Sequence, residues 1–221
     1  MSGKTALLVG ATGVVGRRLL QKLLFNSSFD KIITIVRKPS NVKYEKLNEH
    51  IIDFDKIEEY ADIINANTVF SCLGTTMKTA GSKEAFYTVD YTYTIKIAEI
   101  ASQNGCEQFF VVSALGADAE SSIFYNKVKG EMEDALKKIP FKCIGIFRPS
   151  ILISNRKEIR IGERIGIIIV KALSFLMIGP LRKYKGVRAS VVASAMIKLA
   201  KQNRTGIHII ESDEIQRIAD Q

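Results

Sequence analysis

Three glycines at intervals of three residues follow a short apolar run near the start of the chain. The run Leu7-Leu8-Val9 leads into Gly10, and Gly13 and Gly16 precede a segment with amphipathic spacing. Glycine at these positions permits a tight turn, a close approach of the backbone to a ligand, and close packing of a helix on the strand. The pattern therefore predicts a strand, a turn and a helix at the start of the fold.

The N-terminus of that predicted helix is suited to bind phosphate. Its free N–H groups and its dipole attract anions, and this kind of strand-turn-helix unit is typical of dinucleotide sites. Similar glycine spacings occur in ordinary strand-to-helix connections, but the position on the first strand favours dinucleotide binding. The residues expected to contact the dinucleotide are Gly10, Thr12, Gly13, Val14, Val15 and Gly16.

Segments typical of buried strands alternate with segments typical of amphipathic helices along most of the chain. This order predicts an α/β fold, a Rossmann-type doubly wound parallel sheet of about seven strands, in which ligands bind at the carboxyl ends of the strands. The predicted strands are 5–9, 32–36, 49–53, 68–72, 108–113, 142–147 and 206–210. The predicted helices are 14–24, 57–64, 82–104, 122–138 and 191–202.

The length of 221 residues suits one domain, and it is too short for two full-sized domains with separate cores. We therefore treat residues 1–221 as a single dinucleotide-binding domain. Residues 154–186 have no strand signal and are rich in basic and apolar residues, which predicts a short C-terminal cap on the substrate side. Within this stretch, residues 165–178 are shorter than the ~20 residues of a spanning helix, so we do not expect membrane association.

The net charge of +9 is compatible with phosphate-bearing cofactors, but the basic residues are scattered. We therefore expect no specific nucleic-acid binding. Cys72, Cys106 and Cys143 are widely spaced in apolar runs, as reduced cysteines of a cytosolic protein are, so we expect a cytoplasmic location. With only His50 and His208 available, no Cys/His metal spacing can be built, and no metal is expected.

The end of the predicted second strand bears on which dinucleotide binds. Sites for NAD usually have an acidic residue there, whereas this chain has Arg37 and Lys38. The planar guanidinium of Arg37 can pair with a 2′-phosphate and stack on adenine. The alternative is an ordinary surface arginine, but the residue type favours NADP(H) over NAD(H).

Two other predicted strand ends are candidates for cofactor contacts. Asp53, followed by Phe54, would meet the adenine amino group, and the segment Cys72-Leu73-Gly74 would let the backbone pass the cofactor ribose. Both segments are equally compatible with ordinary turn chemistry. The residues alone leave the two interpretations open.

A tyrosine and a lysine four residues apart are the catalytic candidates. On a helix, Tyr125 and Lys129 share a face, and a lysine ammonium lowers the pKa of a neighbouring phenol. Ser113, at the end of the fifth predicted strand, would hydrogen-bond a substrate carbonyl. A Tyr-Lys pair at this spacing is also common on helix surfaces, but its position after Ser113 and a nucleotide turn favours catalysis.

These features together resemble the short-chain dehydrogenase/reductase superfamily, in its extended and atypical branches. The resemblance includes the G-x-x-G-x-x-G turn, the set Ser113, Tyr125 and Lys129, and the segment Phe147-Arg148-Pro149. More narrowly, the chain resembles the family of the Tat-interacting oxidoreductase-like protein and its bacterial relatives over roughly residues 4–200. The matching segments are 72–76, 80–81, 89–91, 113–118 and 125–131.

The resemblance implies an NADP(H)-dependent oxidoreductase that transfers a hydride between the nicotinamide and a small carbonyl or alcohol. It implies that Ser113 orients the carbonyl, that Tyr125 is the general acid/base, and that Lys129 holds the nicotinamide ribose and assists the tyrosine. Arg148 and Pro149 would lie beside the cofactor. The family's catalytic asparagine has no clear counterpart around residues 90–97, and the short region after residue 149 disfavours sugar-nucleotide chemistry.

A second function class stays open: an NADPH-binding regulatory or scaffold protein without turnover. The complete Ser-Tyr-Lys set favours the enzyme, whereas the short cap offers little substrate-specific surface and favours the regulator. The expected partners are a small-molecule substrate of unknown identity and, in addition, a protein partner or a second copy of the chain. A contact of residues 165–178 with a membrane or a second subunit is a weaker alternative to a helix that roofs the site.

Overall fold

The computed structural model describes residues 3–153 and 185–221. These residues form a parallel sheet with helices on both faces. The predicted cap at 154–186, except its last two residues, and the whole of 165–178 lie outside the described residues.

The described strands lie at or near the predicted apolar runs, with two additional short strands. They are β1 (Lys4–Val9), β2 (Phe29–Val36), β3 (Leu47–Ile51), β4 (Thr68–Ser71), β5 (Gln108–Val112), β6 (Cys143–Arg148), β7 (Leu152–Ile153), β8 (Val187–Arg188) and β9 (Gly206–Glu211). The α-helices are α1 (Val14–Leu24), α2 (Met77–Ala80), α3 (Lys83–Tyr87), α4 (Tyr93–Gln103), α5 (Phe124–Leu136), α6 (Ala189–Lys201) and α7 (Ser212–Asp220). A 3-10 segment covers Phe54–Ile63, and a π-helical turn, Thr88–Thr92, joins α3 to α4.

Seven parallel strands form the sheet in the order β3-β2-β1-β4-β5-β6-β9, while β7 and β8 pair separately. The chain winds outward from β1 to β3 on one side and from β4 to β9 on the other. The order therefore reverses between β1 and β4, and loops that leave these strands in opposite directions open a crevice at their carboxyl ends. The Rossmann-type fold predicted from the sequence is confirmed.

Both faces of the sheet are covered, so neighbouring residues of one strand enter different cores. In β1, Ala6 and Leu8 belong to the core with α1, α6 and α7, whereas Leu7 and Val9 belong to the core with α4, α5 and the 3-10 segment. All four side chains are fully buried. Burial on both faces explains why the strands are continuous apolar runs in the sequence.

Several predicted boundaries are corrected. The third strand is Leu47–Ile51 rather than 49–53, because its register with β2 pairs Ile32 with Leu47 and Val36 with Ile51. The predicted helix 57–64 falls on the 3-10 segment, which begins earlier and ends at Ile63. The predicted helix 82–104 is divided by the π-helical turn. Helix α7 was not predicted. Its Ile215 and Ile218 complete the core beside α6, a tertiary contact that local spacing in a nine-residue segment does not reveal.

Within residues 3–153 and 185–221, no helix has both the length and the apolar character to cross a membrane. In the same part of the chain, no group of three or more His, Cys, Asp or Glu side chains could hold a metal ion. Cys72, Cys106 and Cys143 are free, and burial raises the pKa of the Cys72 thiol to about 12.

Candidate cofactor and active site

A cavity of about 420 Å³ opens at the carboxyl end of the sheet, where β1 lies between β2 and β4. The glycine turn, the end of β2 and the segment after β4 form its walls, and residues of the helices that follow complete it. The predicted cofactor residues that line it are Gly10, Thr12, Gly13, Val14, Arg37, Phe54, Cys72, Leu73 and Gly74. Chain segments that are distant in sequence thus converge on one cavity at the predicted edge.

Two glycines of the turn are required by close backbone contacts. Gly10 has a φ of +79°, and a Cβ there would collide with the Cys72 carbonyl of the neighbouring strand end. A Cβ on Gly16 would collide with the Gly10 carbonyl, which would push α1 away from the turn. Gly13 precedes α1 and makes no side-chain cap, so the first N–H groups of the helix are left for a ligand.

The other predicted cofactor residues lie outside the cavity lining. Val15 and Gly16 are buried in α1, and Lys38 is exposed beyond β2. The Asp53 carboxylate accepts a hydrogen bond from the Asp55 N–H (3.0 Å) and so caps the 3-10 segment. Pro149 accepts a hydrogen bond from the Leu115 N–H through its carbonyl (3.0 Å).

An aromatic pair faces the cavity near Arg37. The ring centroids of Phe54 and Tyr93 are 5.4 Å apart, and both residues line the cavity. The Tyr93 hydroxyl donates to Asp55 Oδ1 (2.5 Å). Burial, together with this hydrogen bond, raises the pKa of Tyr93 to about 12, while the Arg37 charge opposes the shift. Arg37 and Tyr93 are therefore near enough to share an electrostatic environment at this end of the cavity.

Helix α5 presents three polar side chains at four-residue intervals: Tyr125, Lys129 and Glu133. Residues at this spacing lie on one helix face. Their exposure falls along the helix, from 40 % for Tyr125 to 4 % for Lys129 and 0 % for Glu133. Gly130 permits this burial, because a Cβ there would collide with the backbone of Asp118 and Ala119.

Lys129 forms a buried ion pair with Asp90 of the π-helical turn. Its Nζ lies 2.7 Å from Asp90 Oδ1, and Asp90 Oδ2 accepts a hydrogen bond from the Thr75 N–H (2.8 Å). Burial by itself would lower the pKa of Lys129, but the Asp90 carboxylate and the Tyr125 phenol outweigh it, and the pKa is raised. Lys129 is therefore held as a cation.

Ser113 belongs to a second buried network around Glu133. The Ser113 hydroxyl donates to Glu133 Oε1 (2.5 Å). Arg148 donates through Nε to both carboxylate oxygens (3.0 and 3.1 Å) and through Nη2 to Oε2. With its only proton given to Glu133, Ser113 offers lone pairs to a further partner. Arg148 acts here through Glu133 and does not line the cavity.

Sequence reasoning missed Asp90, Glu133, Thr75 and Tyr93. Glu133 could have been found, because it continues the four-residue spacing of Tyr125 and Lys129. No comparable signal exists for Asp90, which is far from Lys129 along the chain and meets it only through the packing of α5 against the π-helical turn.

A family model that matches this chain is described by the ligand that its members bind. Residues 10–142, more than half of the chain, match the model of a family described as NAD(P)H-binding. This chain belongs to that NAD(P)H-binding family. The matched residues include the glycine turn, the segment after β4 and the Tyr125–Lys129 helix face.

Curated proteins of similar sequence support this family assignment. Protein HTATIP2 from Rattus norvegicus is 38% identical over 167 residues, which cover 74% of this chain and 69% of the relative. Protein FMP52 from Eremothecium gossypii is 29% identical over 220 residues, which cover 98% and 97% of the two chains. The predicted resemblance is confirmed: this NAD(P)H-binding protein is a relative of HTATIP2.

Solved structures share the fold at low sequence identity. A putative NAD-dependent epimerase/dehydratase from Bacillus halodurans has a TM-score of 0.69 and 18% identity, with 99% of each chain covered. MoeE5 in complex with UDP-glucose and NAD has a TM-score of 0.68 and 16% identity, with 97% of this chain and 80% of MoeE5 covered. These neighbours support the Rossmann-type architecture of this NAD(P)H-binding protein.

The relatives also correct one prediction. Protein FMP52 is named as a mitochondrial protein in Candida glabrata, Scheffersomyces stipitis and Eremothecium gossypii. The purely cytoplasmic location expected from the cysteines is therefore wrong. Free, buried cysteines are compatible with more than one cell compartment, because burial alone keeps thiols from pairing.

Proposed function

We propose that this protein is an NADP(H)-dependent oxidoreductase that transfers a hydride between the nicotinamide and a small carbonyl or alcohol. The observation that carries the proposal is the position of Lys129 beside the dinucleotide cavity. Gly74 lines that cavity, and a Cβ on Gly74 would lie 3.9 Å from Lys129 Nζ. Lys129, on the predicted catalytic helix face, thus lies close to the cavity at a point where its wall has no side chain.

The cavity residues fit a dinucleotide with a 2′-phosphate. The free N–H groups at the start of α1 suit the pyrophosphate, and the close backbone packing at Gly10 and Gly16 holds the turn and α1 beside the cavity. The exposed guanidinium of Arg37 lies at the end of β2, where it would pair with the 2′-phosphate. In this proposal the positive charge of Arg37 selects NADP(H) over NAD(H).

In this proposal, side chains of the protein transfer the proton that accompanies the hydride. When bound, the nicotinamide gives or accepts the hydride. Tyr125, which is partly exposed, would exchange a proton with the substrate oxygen, and the buried Lys129 cation lies one helical turn away on the same face. Ser113, whose proton is given to Glu133, would accept a hydrogen bond from a substrate hydroxyl or from the Tyr125 hydroxyl.

The test is turnover with a panel of small aldehydes, ketones and alcohols, followed through NADPH absorbance. We expect turnover that falls at least ~100-fold in Tyr125→Phe, because the proton donor is removed while the ring is kept. The affinity for NADPH, measured by calorimetry, should change less than about twofold, since Tyr125 does not line the cavity. Tyr44→Phe, at an exposed tyrosine away from the site, is the matched control. Turnover that survives Tyr125→Phe would contradict the mechanism.

One observation favours the second function, an NADPH-binding regulatory protein without turnover. The hydrogen bond from Ser113 to Glu133 takes away one of the two donors that would otherwise polarise a carbonyl. NADPH binding without turnover on any member of the panel would support this second function.

A further inference from the structure

Asp90 is a buried acid to which neither the family resemblance nor the proposed proton transfer gives a role. Its side chain is only 1 % exposed, yet it contacts two different parts of the site. One carboxylate oxygen lies against the Lys129 ammonium (2.7 Å), and the other accepts a hydrogen bond from the Thr75 N–H (2.8 Å). Asp90 therefore connects α5 to the segment that follows β4.

This connection lies directly at the cavity wall. Gly74 and Thr75 line the cavity, as does Val89, the residue before Asp90. A Cβ on Gly74 would lie 3.5 Å from Asp90 Oδ1 and 3.9 Å from Lys129 Nζ. The ion pair thus borders the wall at a position where glycine leaves the backbone uncovered.

The chemistry of the pair leaves Lys129 able to bind a ligand. An ammonium has three N–H donors, and a single carboxylate oxygen does not use all of them. A buried ammonium without a counter-charge would be unstable or would lose its proton. Asp90 thus keeps Lys129 charged and fixes its ammonium beside Gly74, a residue of the cavity wall.

We propose that Asp90 is a positioning residue for the nicotinamide half of the dinucleotide, which acts by holding Lys129 and the Gly74-Thr75 backbone in place. The adenosine half binds to a different wall of the cavity and does not depend on Asp90. This inference rests on the dinucleotide binding in the proposed function, but it does not require turnover.

The discriminating variant is Asp90→Asn, which keeps the size of the side chain and an oxygen for the Thr75 N–H while it removes the charge that holds Lys129. Two ligands are compared by calorimetry: NADPH, and adenosine 2′,5′-bisphosphate, which has no nicotinamide half. We expect the affinity for NADPH to fall about tenfold and the affinity for the bisphosphate to change less than about twofold, since a hydrogen bond to a charged group is lost only in the nicotinamide half.

Three further variants separate positioning from general stability. In Glu58→Gln the same chemical change removes an exposed ion pair with Lys96, and neither affinity should change. Lys129→Met should lose NADPH affinity selectively, and the double variant Asp90→Asn, Lys129→Met should bind NADPH no more weakly than Lys129→Met alone. Such non-additivity is expected only if Asp90 acts through Lys129.

The possible results of these binding experiments distinguish the inference from its alternatives. If Asp90→Asn loses affinity equally for both ligands, or loses affinity for neither, the inference is wrong. If Asp90→Asn does not fold, Asp90→Glu keeps the charge but displaces it by one methylene, and it should show the same selective loss of NADPH. A wild-type protein that binds neither ligand would overturn the proposed function itself and this inference with it.

Discussion

At the scale of single residues, Arg37 is the side chain on which the proposed preference for NADP(H) over NAD(H) depends. It lines the cavity at the end of β2, and its guanidinium is exposed. A planar guanidinium forms paired hydrogen bonds with a phosphate, whereas it gains little from the free 2′-hydroxyl of NAD(H). The contribution of Arg37 to cofactor affinity should therefore depend on the 2′-phosphate alone.

Replacement of this residue gives a direct prediction. In Arg37→Ala the affinity for NADPH should fall about tenfold or more, because a charge-assisted pair with the phosphate is lost. The affinity for NADH should change less than about threefold. Both are measured by calorimetry or by nicotinamide fluorescence.

Arg18→Ala is the matched control. Arg18 is an exposed arginine on α1 whose side chain bonds Gln21, so the same charge is removed away from the cavity. Equal losses of NADPH and NADH affinity in Arg37→Ala would show that Arg37 does not select the cofactor.

At the scale of secondary-structure elements, α5 is the element that unites the site. Through Lys129 it is paired with the π-helical turn, and through Glu133 it is tied to Ser113 after β5 and to Arg148 at the end of β6. Lys129, Asp90, Ser113 and Glu133 are buried and Arg148 is partly buried, so water competes little for these contacts. Tyr125, on the same face, is thereby carried on a helix held at two points.

Removal of the Glu133 charge should destabilise the fold strongly. In Glu133→Gln, the Arg148 guanidinium loses its buried partner and Ser113 loses a charged acceptor. We expect the free energy of unfolding to fall by about 3 kcal/mol, as is typical when one partner of a buried pair is removed. Urea denaturation at neutral pH measures the change.

The next residue along the helix provides the control. Asp134 forms an exposed ion pair with Lys137 (2.9 Å), and Asp134→Asn should change the free energy of unfolding by less than about 0.5 kcal/mol. Similar small effects for both variants would mean that the Glu133 network contributes little to the fold.

At the scale of the whole molecule, two tyrosines link stability to alkaline pH. The pKa of Tyr87 and that of Tyr93 are each raised to about 12, mainly by burial and further by Glu131 and Asp55 respectively. In the unfolded chain a tyrosine titrates near ~10. The folded state therefore holds these protons more tightly, so the stabilisation is complete below about pH 10 and is lost as the pH rises toward 12.

The double variant Tyr87→Phe, Tyr93→Phe tests this link. We expect its free energy of unfolding to fall less than that of the wild type between about pH 9 and pH 11, because two of the protons that the folded state retains are gone. Urea denaturation across this pH range measures both proteins. Tyr44→Phe controls for the loss of a hydroxyl elsewhere, and parallel falls in all three proteins would contradict the prediction.

Properties that depend on neighbours along the chain could be predicted from the sequence. Alternating strand and helix segments determined the doubly wound fold, because each segment's apolar period reports which of its faces is buried. The glycine spacing located the turn between β1 and α1 that lines the cavity, and the four-residue spacing placed Tyr125 and Lys129 on one helix face. Even so, the predicted bounds of the third strand were wrong by two residues at each end, because pairing with β2 decides where β3 begins and ends.

Contacts between elements were decided only by the tertiary structure. The partnership of Asp90 with Lys129 and the direction of the Ser113 proton toward Glu133 both depend on how α5 packs against the sheet and the π-helical turn. Spacing in the sequence shows which residues share a helix face, but it does not show which residues of other elements that face contacts. The glycine turn alone thus determined that this chain could hold a dinucleotide, whereas the packing of α5 decided which charges stand beside it.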